Sequence, residues 1–267
     1  MLGRQELKTT DGQTPTLLND YVMAIDTDWA PDWCVKEVAS QLLRDKVKTT
    51  WFVTHDSHEI RRLADHSDIF ELGIHPNFRE DSTQGNTPRE VMSHLKKIVP
   101  EARSARTHSL LQSSPLLRMM REEFGILYDS SIVLPDTPYI IPHELYLSKN
   151  IKILRFPCFW EDDIEMYRPD PCFSLSSSRY HVGGLKIFSF HLIHIALNSS
   201  SMETYSSCKS RMDISSCSPS DVHEYANTCQ EGAGTLFREL VQHIKDNQNP
   251  SGATISDLAS RWAMNKW

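Results

Sequence analysis

Short apolar runs alternate along the chain with stretches of helical period. Residues 21–25 (YVMAI) and 49–54 (TTWFVT) are brief runs, the second β-branched and aromatic, that read as buried strands; between them, residues 35–44 place apolar side chains at helical spacing. The unit recurs, with a strand expected at 70–74, a helix at 88–98, a strand at 102–106 and a helix at 114–123. Further strand-like runs occupy 126–128, 153–156 and 185–190, and helices are expected at 234–245 and 255–262. Such alternation predicts a mostly parallel sheet with helices packed outside it, and right-handed crossovers lead from there to a barrel or a doubly wound sheet. Residues 198–220 are rich in serine and lack an apolar period, which predicts a long surface loop, either a lid or an insertion without function.

Composition narrows the picture. A chain of 267 residues fits one α/β barrel, so a single domain over residues 1–267 is expected. The net charge of −7 and the lack of a Lys/Arg run argue against nucleic acid as a partner. No window approaches the roughly 18 apolar residues of a membrane span, and residues 1–16 contain no apolar signal-peptide core, so a cytoplasmic protein is expected. The six cysteines form no CxxC pair, and reduced thiols are expected rather than a zinc-cysteine site.

Residues able to bind a metal or move protons follow four of these strands. In parallel α/β folds, sites are assembled at the carboxyl ends of the strands. Asp26 and Asp28 end the first run, and in extended backbone side chains two residues apart point to one face. Close carboxylates repel unless a cation or proton lies between them, so the pair suits one metal ligand and one general base. A solvated strand end or a helix cap produces the same D-x-D pattern. His75 follows the run at 70–74, Arg106 and His108 end or follow that at 102–106, and His191 and His194 follow that at 185–190. One histidine alone is ordinarily structural. Together these strand ends fit a site of two histidines and one carboxylate for Zn²⁺, with positions open for water and substrate.

In their order along the chain these motifs resemble those of the polysaccharide deacetylase family (carbohydrate esterase family 4). Asp26-Thr27-Asp28 is similar to the family's T-F-D-D-G motif, as a D-x-D variant, and Glu71-Leu72-Gly73-Ile74-His75 to its E-[IL]-G-x-H motif. Arg106 resembles the arginine of the third motif, residues 155–163 (RFPCFWEDD) the aromatic-acidic fourth motif, and His191 the late histidine. The resemblance covers residues 22–197 and implies a distorted (β/α)7-type barrel that hydrolyses an amide with the help of a divalent metal, zinc by ligand type. It implies that Asp26 is the general base, with Arg106 as its charge partner, that Asp28 and His75 hold the metal, and that His191 protonates the leaving amine. Trp29, Asn77, Trp160, Asp162 and His194 would line the substrate. For Trp160 stacking on a pyranose ring competes with a place in the core, and Asp162 or Asp163 could instead orient His191.

The sequence departs from the family at one ligand. The histidine expected four residues after His75 is Arg79, which cannot ligate a metal. His108 is the preferred replacement, ahead of Asn77 or a water. The activity implied is N-deacetylation of an N-acetylated sugar in surface polysaccharide or O-antigen biosynthesis. The alternatives are hydrolysis of a non-sugar amide or ureide on the same fold, and a catalytically inactive carbohydrate-binding barrel. The substrate expected is therefore a carbohydrate or a small-molecule amide, and the oligomeric state is left open.

Overall fold

A computed structural model of the chain describes residues 20–247 and 252–264; the expectation for residues 1–16 lies outside them. The apolar run at the start becomes β1 (Tyr21–Asp26), buried along its whole length, and is followed by α1 (Asp32–Asp45), β2 (Thr49–Val53), α2 (His58–Leu63) and β3 (Phe70–Ile74). Next come α3 (Pro88–Ile98), β4 (Ser104–Ala105), α4 (Ser114–Phe124), β5 (Tyr128–Asp129), β6 (His143–Ser148), β7 (Ile151–Arg155), β8 (Trp160–Glu161) and α5 (Asp162–Met166). The chain continues through β9 (Lys186–His191), α6 (Leu192–Leu197), α7 (Met202–Lys209), α8 (Pro219–Tyr225), α9 (Ala233–Asn247) and α10 (Ile255–Ala263).

The strands form one sheet in the order β6-β7-β5-β4-β3-β2-β1-β9-β8, parallel throughout except for β6 against β7. The sheet curls towards closure through the segment that enters β8. Val133, just after β5, bridges in parallel to Cys158, whose N–H donates to the Ile132 carbonyl at 2.7 Å. The Phe159 N–H then donates to the Ile187 carbonyl at 2.8 Å, and Trp160 pairs with Phe188 of β9. The circuit β1, β2, β3, β4, β5, residues 158–161 and β9 is thus the distorted barrel expected, half open because a single bridge joins two of its members.

Strand alternation sorts the side chains. Tyr21, Met23 and Ile25 face outward into the large core shared with the surrounding helices, whereas Val22 and Ala24 point into the barrel with Phe52, Phe156, Leu185 and Ile187. Ile255, Leu258 and Ala259 of α10 belong to this inner cluster and plug the barrel at the amino ends of the strands. The plug is tied by hydrogen bonds from the Ile255 N–H to Thr50 Oγ1 at 2.9 Å and from the Ser256 N–H to Glu71 Oε2 at 2.8 Å. Gly73 is required inside: a Cβ there would lie 2.5 Å from Ser104 Oγ and 2.8 Å from the Phe52 ring.

Several expectations are corrected. Residues 198–220 are not a loop but carry α7 and the start of α8, the latter begun by a Ser218/Asp221 capping box. What holds them is a small satellite core, in which Cys208, Cys217 and Val222 pack on Ile193 and Leu197 of α6. The antiparallel β6, the two-residue β8 and the short helices α2, α5 and α6 were not expected, and the strand expected at 126–128 is shifted to Tyr128–Asp129. No helix among the described residues is long and apolar enough to cross a membrane.

Candidate metal and catalytic centre

At the carboxyl ends of the strands, opposite the plug, β1 delivers Asp26 and the chain then turns through two left-handed residues, Asp28 (φ 34°) and Trp29 (φ 54°). Non-glycine residues hold this conformation at a cost of about 1–3 kcal/mol each, and only where the surroundings enforce it. Here Thr27 Oγ1 accepts the Thr54 N–H at 3.0 Å, and Thr54 Oγ1 accepts the Trp29 N–H at 3.0 Å. Ser109 (φ 54°) and Leu110 (φ 55°) form a second such pair just after His108. His75 leaves β3 with its N–H bonded to the Val53 carbonyl at 2.8 Å. Its own carbonyl accepts from Gln84 Nε2 at 3.2 Å, while Gln84 also bonds the Thr54 carbonyl and the Asn77 N–H.

The side chains converge. His75 Nε2 lies 3.1 Å from Asp28 Oδ1 and 3.3 Å from His108 Nδ1, and His108 Nδ1 lies 3.4 Å from Asp28 Oδ2. One donor atom from each of Asp28, His75 and His108 falls within 4.8 Å of the others, enough for one ion to touch all three. Asp26 is fully buried: its Oδ2 accepts from Arg106 Nε at 2.9 Å and from Ser189 Oγ at 3.2 Å, while its Oδ1 has no hydrogen bond and lies 3.6 Å from His75 Nδ1. Arg106 also donates to Glu161 Oε2 at 2.5 Å, to the Ser130 carbonyl at 2.6 Å and to Cys158 Sγ at 3.0 Å. His191 Nδ1 lies 2.6 Å from Asp162 Oδ1, and its Nε2 faces the centre, 3.4 Å from Asp28 Oδ2 and 3.8 Å from Asp26 Oδ2.

Charge follows from this packing. Burial disfavours the ionised Asp28 carboxyl, but the His75 and His191 rings outweigh it and hold the group well below the usual carboxylate range. Burial likewise disfavours a charged His191, yet Asp162, Asp163 and Asp28 hold it well above the ordinary histidine value. Burial pushes Glu161 up.

The structure therefore brings Asp26, Asp28, His75, Arg106, His108 and His191 into one space. Trp29 stays at its rim, half-buried, with its ring edge to face on His108 at 5.4 Å. Other residues expected to line the substrate are placed differently. Trp160 is 2% exposed and packs among Phe173, Phe188 and Phe190, because β8 turns it towards the outer core rather than into the barrel. Asp162 is fully buried, with both oxygens engaged by His191, whose backbone N–H reaches Oδ2 at 2.7 Å; it orients that ring and does not face a sugar. Asn77 is used by its own loop, its Oδ1 accepting the Arg79 N–H. His194, 3% exposed in α6, is held between Asp163 and Ser199.

Sequence reasoning missed Glu161, Ser189 and Gln84. Glu161 sits in a strand of two residues, too short for any alternation to mark its inward face, and Gln84 acts only through backbone groups of two loops.

The WbmS-like polysaccharide deacetylase profile matches residues 23–209, a span containing every residue of the centre. Among solved structures, the chain is similar to a proposed polysaccharide deacetylase involved in O-antigen biosynthesis from Bordetella bronchiseptica. The TM-score is 0.73 and the identity 24%, covering 88% of this chain and 95% of that one. A second match, to the Xyl-CE4 domain of a multidomain xylanase from the hindgut metagenome of Trinervitermes trinervoides, has a TM-score of 0.41 and 13% identity over 91% of this chain and 90% of that one. No curated protein sequence matches the chain. Because the profile spans most of the chain and the first of these structures shares its curled barrel, the chain belongs to the WbmS-like polysaccharide deacetylase family.

Proposed function

We propose that the protein is a metal-dependent deacetylase that removes the acetyl group from an N-acetylated sugar during assembly of a surface polysaccharide of the O-antigen kind. The observation that carries this reading is the convergence of Asp28, His75 and His108, which stands beside a carboxylate with one free oxygen and a histidine backed by a second carboxylate. The donors fit a cation: Asp28 Oδ1 is buried without a hydrogen bond 3.1 Å from His75 Nε2, an arrangement a bound ion relieves. Two imidazoles and a carboxylate suit Zn²⁺. A divalent cation held there supplies Lewis acidity towards the amide carbonyl and an acidified water.

The remaining steps belong to the side chains. Asp26 takes the proton of the attacking water at Oδ1, because Arg106 and Ser189 hold Oδ2 and fix the carboxylate's orientation. Arg106, shared between Asp26 and Glu161, keeps two buried carboxylates balanced while that proton moves. His191 delivers a proton from Nε2 to the departing amine, and Asp162 on Nδ1 fixes the tautomer and the ring angle. The similar Bordetella bronchiseptica protein supports the choice of surface polysaccharide. Elemental analysis of the wild type, His75→Ala and His108→Ala, with acetate release from N-acetyl sugars, tests the reading. One equivalent of metal and acetate release in the wild type, both lost in the two variants, is expected. A wild type that takes up no metal after zinc reconstitution would refute it.

A further inference from the structure

A second set of donors adjoins the first. The rings of His191 and His194 meet edge to face with centroids 5.8 Å apart, and each has its Nδ1 committed to an oxygen: that of His191 to Asp162 Oδ1 at 2.6 Å, that of His194 to Ser199 Oγ at 3.1 Å. An oxygen on one ring nitrogen is what orients a metal-ligating histidine and exposes the other nitrogen. Both Nε2 atoms are so presented. Asp163 Oδ1 lies 2.8 Å from His194 Nε2, buried and without an aligned hydrogen bond. Tyr205 of α7 closes the far side, its ring 4.9 Å from that of His194.

We propose that Asp163, His191 and His194 form a second divalent-cation site, beside the Asp28, His75 and His108 site, whose filling blocks the reaction. One donor atom from each of the three falls within 4.8 Å of the others, and two histidines with a carboxylate again suit Zn²⁺. The blocking effect rests on the role given to His191 above, since a cation on Nε2 occupies the nitrogen that must carry the proton. His191 Nε2 is 3.4 Å from Asp28 Oδ2, so the two cations are neighbours and repel. Repulsion separates the two fillings, so the second equivalent needs excess metal.

The test is equilibrium dialysis of the purified protein against rising free Zn²⁺, with bound metal counted by elemental analysis and acetate release measured on the same samples. The wild type takes up a first equivalent at low zinc and a second at higher zinc, and its rate falls as the second binds. His194→Gln keeps the first equivalent and the low-zinc rate but loses the second equivalent and the inhibition, and Asp163→Asn, a variant that leaves α6 intact, keeps the first equivalent and loses the second. Ser199→Ala weakens only the second equivalent, by about tenfold. Saturation of the wild type at one equivalent, two equivalents retained in both variants, or a second equivalent that leaves the rate unchanged each overturns the proposal. Should no N-acetyl sugar be turned over, the stoichiometries still decide the site, and the deacetylase reading fails separately.

Discussion

Arg106 is enclosed by Asp26, Glu161 and Cys158, and at the base of the centre it takes up only Oδ2 of Asp26. That makes the free Oδ1 of Asp26 the obvious place for a proton to arrive. Asn at this position keeps the shape and loses the basicity: Asp26→Asn is expected to lower kcat by about 10²–10⁴ while retaining the metal equivalent, with acetate release and elemental analysis as the paired readouts. The second residue-scale prediction concerns His191. Its folded pKa is raised, so it keeps its proton as pH climbs past the ordinary histidine value, and activity declines only when that proton is lost. Asp162→Asn removes the neighbour that contributes most to the rise, and the alkaline limb of kcat against pH is expected to move to lower pH. The same sign governs stability: the charged pairing of His191 stabilises the fold fully below its unfolded pKa and is lost as pH rises through the folded value. An alkaline limb unmoved in Asp162→Asn would remove His191 from the role of acid.

Elements were legible where local chemistry and burial agree. β1 and β2 are buried on both faces, as parallel strands are, and so appear in the sequence as unbroken apolar runs. α3 announces itself through Thr87, Pro88 and Glu90, a capping box with proline in the first turn, and α4 through Ser113 and Gly125 at its two ends. β6 alternates weakly because it is an edge strand exposed on one side, and α7 and α8 hold together by a few buried residues rather than by a full apolar stripe. Asp26, Asp28, His75, Arg106 and His191 could be found because strand ends place them in one layer, whereas for Trp160 sugar stacking and a place in the core stayed open, since nothing in its sequence says which way a two-residue strand faces. The inward role of α10 was equally hidden: its apolar period announces a helix, not that the helix enters a barrel. Leu258 is fully buried in that plug, and Leu258→Ala is expected to cost about 2–5 kcal/mol, read as a lower denaturant midpoint at unchanged slope. A loss under 1 kcal/mol would mean that α10 merely rests on the barrel.

On the scale of the whole molecule, the barrel is apolar at one end and charged at the other, with Asp26, Asp28, Glu161 and Asp162 gathered around Arg106 and three histidines. Burying carboxylates whose oxygens lack partners costs stability, and that cost falls at the end where the chemistry lies. A cation taken up by Asp28, His75 and His108 binds the folded chain and not the unfolded one, and must raise the melting temperature by mass action. At a free concentration about a hundredfold above Kd the gain is about 2.7 kcal/mol, or roughly 5–10 °C for a chain of this size. Adding zinc to chelator-treated protein at that free concentration should produce that rise in the wild type and none in His75→Ala. The plug at the opposite end shares no ligand with the centre, so Leu258→Ala should melt lower in both states yet show the same increment on adding zinc. An increment reduced in Leu258→Ala would instead show that α10, through Glu71 and β3, sets the position of His75, and that the two ends of the barrel act as one unit.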